Sequence, residues 1–472
     1  IALIVSVTLS SDTTKMAKRA NIFNNLGAFP LIYESERSFL TLKFATAQMA
    51  YSNKNAWFAE ASKLTEGNPL ANKPLESDYS VWLEGFVSAG IYGITRIIPS
   101  INLHIYGGAS YLASFSLGDD LFCTSPRFYA AIEDAFVGLI GGGRTSQGGN
   151  YKYNVLYGRK QFILADGFLL INTAMNGSDR AALQLNPRWA SKSLFQAGFS
   201  INNLSIGIFR LTPNELPILN SRTIINGINI ELGNKDRFIV GATLLHVPRS
   251  SLHYYLPNGN THTREGMQVY NLRLYKTAPP IRGGLFFKSE GAYERNSNFD
   301  MGSYAFYAEG GWRFSATKAI SSVSYRFAYF SGDNPRTTKY ERWDALYTGG
   351  NGEQWVQGSN MYKIVQNSNE MSHRIQLTLN PIRKIQLVGQ LWSFMAPQRN
   401  NLGGNPALSY LQSKYYGSEI NLTIKYFRSK HWYFHLNTAY TFVGSAIKDA
   451  TKESETDPKN WFCLSVFARY WF

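Results

Sequence analysis

Hydrophobic and polar positions alternate one by one through most of this chain, most clearly at its end. Phe462, Leu464, Val466, Ala468, Tyr470 and Phe472 share one face. Trp461, Cys463, Ser465, Phe467, Arg469 and Trp471 share the other. A period of two is the signature of an extended strand. The same pattern predicts eighteen strand segments from residue 38 onward. They run over Ser38–Ser52, Tyr79–Arg96, Ile101–Leu117, Arg127–Leu139, Tyr151–Phe162, Ser193–Ile201, Leu204–Thr212, Thr223–Leu232 and Arg237–Val247. The remaining nine are Met267–Lys276, Gly284–Asn296, Ser303–Ser315, Ile320–Gly332, Met371–Asn380, Ile385–Ala396, Tyr415–Ser429, Trp432–Ser445 and Trp461–Phe472. Tight connectors alternate with longer ones. The tight set comprises Ile97–Ser100, the glycine-rich Gly141–Gly149, Asn202-Asn203, Gly233–Asp236, Pro279-Pro280, Ala316–Ala319, Pro381–Lys384 and Lys430-His431. Proline in such turns removes no ladder hydrogen bond.

An even count of antiparallel strands with short turns on one side and long loops on the other predicts an all-β fold. The expected form is a single transmembrane antiparallel β-barrel of about 18 strands, spanning 38–472. An aromatic last residue with a second aromatic two before it resembles the terminal signal of Gram-negative outer-membrane barrels, which places the protein in the bacterial cell outer membrane. A soluble propeller or sandwich would need a blade-like repeat of about 40–50 residues, and none recurs. Residues 1–37 form an N-terminal segment in which Ile1–Leu9 also alternates. It reads as a signal remnant followed by a polar lead-in, with an extra strand as the other reading.

The alternation assigns faces. Val323, Tyr325, Phe327 and Tyr329 point to lipid, with Ser324 and Arg326 inside; Tyr270, Leu272 and Leu274 oppose Asn271 and Arg273. Ile375, Leu377 and Leu379 oppose Arg374, and Ile420, Leu422, Ile424 and Tyr426 oppose Lys425. Tyr304, Phe306 and Trp312 oppose Glu309 and Arg313. An Arg or Lys at the lipid midplane costs roughly 2–4 kcal/mol, so the charged faces must line the lumen. Arg273, Lys288, Arg313, Arg326, Arg374, Lys425 and Arg469 are the predicted basic lining, with Glu84, Glu290 and Glu309 as counter-charges. Tyr92, Tyr307 and Trp392 are lumen aromatics that suit sugar stacking, although strand aromatics more often fill girdles.

Composition supports this picture. Aromatic residues make up 15% of the 472, enough for interfacial girdles. Mean hydropathy is −0.22, and no run approaches the ~18 apolar residues of a membrane helix. Forty-seven Lys and Arg against 32 Asp and Glu give +15. The basic residues are scattered singly rather than clustered in runs, which argues against nucleic acid and for a positive lumen or rim. The only cysteines, Cys123 and Cys463, form no disulfide framework or metal spacing.

Two stretches carry a family likeness. Tyr157-Gly158-Arg159-Lys160-Gln161-Phe162, followed by Ala165-Asp166-Gly167-Phe168-Leu169, resembles the G-R-Q strand of the alginate export family, with Lys160 interrupting the Arg–Gln pair. Phe330-Ser331-Gly332-Asp333-Asn334-Pro335, then Tyr340, Trp343 and Leu346, resembles that family's strand ending in S-G-D and the loop after it. The resemblance implies an eighteen-stranded outer-membrane channel, adds Arg159 to the site, and does not by itself fix alginate as cargo.

The expected function is an outer-membrane channel for anionic solutes, with export of an alginate-like acidic polysaccharide through a basic lumen. The alternative is a general or other substrate-specific porin for small anions or sugars. Expected partners are an anionic oligo- or polysaccharide or other small anionic solute, outer-membrane lipid and the barrel-assembly machinery, with no nucleic acid and no cofactor. An enzyme is not expected: none of the seven histidines is followed two residues later by Ser, and no G-x-S-x-G elbow occurs. The acidic pairs Asp119-Asp120 and Glu133-Asp134 and the loop Asp449–Asp457 read as solvated or structural rather than as metal sites. The long segment Asp333–Glu370 is the expected infolded loop.

Overall fold

A computed structural model describes residues 31–71, 79–124, 126–234, 237–279, 281–315, 319–349, 355–454 and 457–472. The expectations for Ile1–Leu9 and for the turn residues Lys235, Asp236, Pro280 and Ala316–Lys318 lie outside the described residues. One nineteen-stranded sheet forms the molecule. A short strand, β1 (Leu31–Glu34), precedes the wall. The first wall strands are β2 (Ser38–Lys54), β3 (Tyr79–Ile98), β4 (Leu103–Gly118), β5 (Arg127–Arg144), β6 (Asn150–Arg159), β7 (Ser193–Ile201), β8 (Leu204–Thr212), β9 (Ile224–Asn234) and β10 (Phe238–Arg249). A separate hairpin, β11 (His253–Tyr255) with β12 (Thr261–Thr263), stands in the next connector. The wall resumes with β13 (Met267–Lys276), β14 (Gly284–Asn296), β15 (Ser303–Arg313), β16 (Ile320–Phe330) and β17 (Glu370–Ile382). It ends with β18 (Ile385–Met395), β19 (Tyr415–Phe427), β20 (Trp432–Val443) and β21 (Trp461–Trp471).

Every wall strand pairs antiparallel with its neighbours, and β2 pairs with β21 from Ala45↔Trp471 to Lys54↔Phe462. That pairing closes an eighteen-stranded barrel, because β1 only adds to the rim of β2 at Phe39–Thr41. Closure removes the exposed edges that an open sheet would present. At the seam, Phe472 and Phe44 exchange backbone hydrogen bonds of 3.0 and 3.2 Å, and their rings stack with centroids 5.3 Å apart.

The face assignments follow the pleat. Leu272 is 69% exposed on the outer wall, whereas Arg273 beside it is 3% exposed. Tyr325 and Val323 lie outside, and Ser324 and Arg326 inside. The strand expected to end at Leu139 instead runs on to Arg144, pairing Gly141↔Tyr153 and Gly143↔Tyr151. Those glycines are not turn residues. A Cβ on Gly141 would lie 2.3 Å from the Tyr153 hydroxyl, and one on Gly142 would lie 2.5 Å from the Tyr151 carbonyl. The strand expected to reach Phe162 stops at Arg159.

The short turns gather at one end, the periplasmic side by the usual asymmetry. The long connectors gather at the other. Two of them, 160–192 and the described parts of 331–369 (331–349 and 355–369), fold inward and bury Phe168, Leu170, Trp343, Trp355 and Met361 against the inner wall. They also grip one another: Ile171 and Asn172 both donate N–H bonds to the Tyr347 carbonyl at 3.0 Å. The ring of Phe168 sits 4.8 Å from that of Trp355.

Candidate functional site: the inner wall and its infolded segments

Carboxylates on the wall anchor the infolded segments. Glu84 on β3 is fully buried and accepts the N–H groups of Gln184 and Leu185 at 2.9 and 2.8 Å, with the Trp82 indole N–H on its other oxygen. Glu133 on β5 accepts those of Trp189 and Ala190, both at 2.7 Å. Glu419 on β19 accepts Asn360 and Met361 N–H, each at 3.0 Å, and the Thr441 hydroxyl at 2.9 Å. Glu294 on β14 accepts the Asp344 N–H at 3.0 Å. A carboxylate that receives paired backbone donors is held strongly, and each bond satisfies an amide that burial would otherwise leave unpaired.

Outside the wall strands, Asp344 and Arg264 form a bidentate pair at 2.7 Å through both oxygens, and the Tyr254 hydroxyl donates to the same carboxylate. This ties the β11–β12 hairpin to segment 331–369. Burial opposes the Asp344 charge, but Arg264 and the hydrogen bonds outweigh it and hold the carboxyl below its usual range.

The ten site residues expected from sequence are distributed as follows. Arg273 is buried and bonded to Glu231 at 2.9 Å and Thr243 at 2.8 Å, and also bonds Asn229. Glu290, one strand away, is bound by Asn271 at 3.0 Å and the Tyr275 hydroxyl at 2.6 Å. Lys288 reaches Asp166 on segment 160–192. Arg374 pairs with Glu309 at 2.7 Å, and its guanidinium lies 5.6 Å from the ring of Trp392. Arg326 stacks between Trp355 at 4.9 Å and Trp392 at 5.4 Å and donates to Gln357 at 3.3 Å. Arg313 donates to the Ala278 carbonyl at 3.2 Å near the periplasmic rim, and Lys425 is half-buried on β19. Glu84 serves the anchor described above. Thus Arg326, Arg374 and Glu309 meet around Trp392, while Arg159, Arg313 and Lys425 stand apart. Of the expected lumen aromatics, Tyr307 and Trp392 are buried against the infolded segments, and Tyr92 donates to Asp134 at 2.6 Å.

Sequence reading missed Arg180, Arg188 and the anchoring roles of Glu133 and Glu419. Arg180 and Arg188 sit in a segment without strand periodicity. Glu133 lies at a bulge, marked by the register shift between Ala109 and Tyr111, which turns both Glu133 and Asp134 inward. Arg159, Arg180 and Arg188 line a cavity of about 270 Å³ with Tyr129 and Asn214. A larger groove of about 450 Å³ near β1 includes Leu40, Gly93 and Gly107 and has no charged side chain in its lining.

Residues 261–459 match the alginate export family model. No curated protein matches the chain significantly. Among solved structures, OprD of Pseudomonas aeruginosa superposes over 92% of this chain and 95% of its own, with a TM-score of 0.53 and 10% identity. A second structure of that outer membrane protein gives 94%, 96%, 0.52 and 12%. OccD3 (OpdP) of the same organism gives 94%, 93%, 0.50 and 10%. At such identities the likeness establishes the fold, a closed porin-type barrel. The chain is an outer-membrane β-barrel of porin-type fold whose residues 261–459 match the alginate export family model.

Proposed function

We propose that the protein passes anionic solutes across the outer membrane through a basic lumen, with an alginate-like acidic polysaccharide as the exported cargo. One observation carries this reading: around Glu133, guanidinium groups of the inner wall and the infolded segment outnumber the carboxylates beside them. Arg159, Arg180 and Arg188 surround Glu133, whereas Arg326 and Arg374 have both Glu309 and Glu370 beside them. A low-dielectric wall focuses the field of such a surplus. A polyuronate carries a carboxylate on each sugar, which the planar arginine fork fits. Transit needs weak contacts repeated along the path rather than one tight site.

In this reading the tightly paired Arg273, Lys288, Arg374, Glu84 and Glu290 brace the wall and its infolded segments. Arg159, Arg313 and Lys425, all half-buried, contact the solute. Transport rather than catalysis is the role of such a barrel. Reversal potentials in planar bilayers under a salt gradient test it. The expected result is anion preference that shrinks as ionic strength rises. Cation preference would remove the physical basis of the proposal. A second reading, passage of small anions or sugars only, is favoured by the way segments 160–192 and 331–369 occupy the external part of the lumen.

A further inference from the structure

The cavity between β5, β6 and segment 160–192 has an unusual balance of charge. Arg188 is 1% exposed, yet its Nε has no hydrogen-bond partner. Its Nη2 donates to the Leu112 and Tyr129 carbonyls at 3.0 and 3.3 Å, and its Nη1 stands 3.6 Å from Glu133. Arg180, also buried, spends its donors on neutral acceptors: the Met175, Asn214 and Glu215 carbonyls and the Asn214 side-chain oxygen. Among the described residues Arg159 makes one hydrogen bond, from Nε to the Glu133 carbonyl at 3.4 Å.

Among the described residues one carboxylate, Glu133, faces these three cations. Its Oε1 takes two backbone N–H groups, and its Oε2, without a hydrogen-bond partner, stands toward Arg188. Asp134 takes Tyr92 and Lys160. Glu215 takes Ser221 and the Tyr347 hydroxyl. Three guanidiniums therefore face one carboxylate in a confined space. Burial pulls the proton affinity of Arg180 and Arg188 below the usual arginine value, and the charge of Arg159 adds to the effect on both.

We propose that this cavity is a binding site for a small oxyanion, a carboxylate or phosphate group, which bridges the wall at Arg159 to the infolded segment at Arg180 and Arg188. The forked donors suit either group bidentately. Tyr129, whose ring lies 4.5 Å from the Arg188 guanidinium, and the Asn214 side chain complete the lining. About 270 Å³ admits a ligand of roughly one sugar-acid unit rather than a chain. Entry is from the side of Arg159, the one of the three arginines that is not buried. The site deepens the anion-channel reading by placing a retained ligand beside the path, and it rests on that reading only for the chemical class.

Calorimetric titration of the detergent-solubilised full-length barrel tests it, with inorganic phosphate and glucuronate as separate probes and glucose as the neutral control. Saturable binding of phosphate, glucuronate or both is expected, and the stronger of the two identifies the source of the oxyanion. Arg159→Gln should weaken that binding by about tenfold or more, as loss of a charged hydrogen-bonding partner does, with heat-modifiable mobility retained. Arg159→Lys should weaken it less. Absence of saturable binding, equal affinity in Arg159→Gln, or equal uptake of glucose would each overturn the site. The channel reading is decided separately: anion-selective pores without saturable binding leave it standing, and cation-selective pores with binding leave only the site.

Discussion

At the scale of single residues, the clearest lock is Asp344 against Arg264. Arg264 holds the Asp344 carboxyl below its ordinary value despite burial. A carboxyl whose folded pKa is depressed adds stability above its unfolded pKa, about 3.9, and loses it as pH falls through the folded value. Protection of the hairpin and segment 331–349 against protease should therefore hold from neutral pH to about 4 and fail below it. Asp344→Asn leaves Arg264 buried without its counter-charge, a change that costs about 3–5 kcal/mol in buried pairs. Limited proteolysis at neutral pH should then cleave near residue 344; an unaltered digest would mean that other contacts hold the hairpin. Which residues were legible follows from periodicity. Arg273, Arg326 and Arg374 could be placed inside because their own strands alternate cleanly. Arg180 and Arg188 could not, because nothing in an aperiodic segment announces that it turns back into the lumen.

At the scale of elements, all eighteen wall strands were readable, since each carries its own period of two. Errors fell where glycine was given its usual meaning. Gly141–Gly143 read as a turn, yet they continue β5 and leave room for Tyr151 and Tyr153 across the pair. Local composition cannot distinguish a glycine that bends the chain from one that admits a neighbour's ring. The terminal element behaves as its pattern suggests, and it is tied at its last residue. Deleting Phe472 removes two seam hydrogen bonds and the ring stack on Phe44. The deletion should lower the fraction of heat-modifiable barrel on gels by several-fold; wild-type yield would argue that the seam closes without it.

At the scale of the whole molecule, the infolded segments decide between the two transport readings. If an acidic polymer threads the lumen, block of single-channel current by uronate oligomers should strengthen steadily with chain length, as more residues engage the repeated basic contacts. A block that is already maximal with the monomer would favour passage of small solutes. The loop after Phe330 was expected to turn inward from its length alone, and it does. Segment 160–192 was not, because its first residues continued the alternation of β6. The anchoring carboxylates also impose an order on assembly. The groups that seat each segment are distant in the chain: Leu185 sits on Glu84 of β3, Met361 on Glu419 of β19, and Ile171 on Tyr347 of the other segment. None of these partners is in place until the neighbouring strands have paired, and the Ile171–Tyr347 contact also needs both segments inside. Each segment can therefore seat only after the strands that carry its anchors, and a chain stalled before those strands pair would present both segments loose.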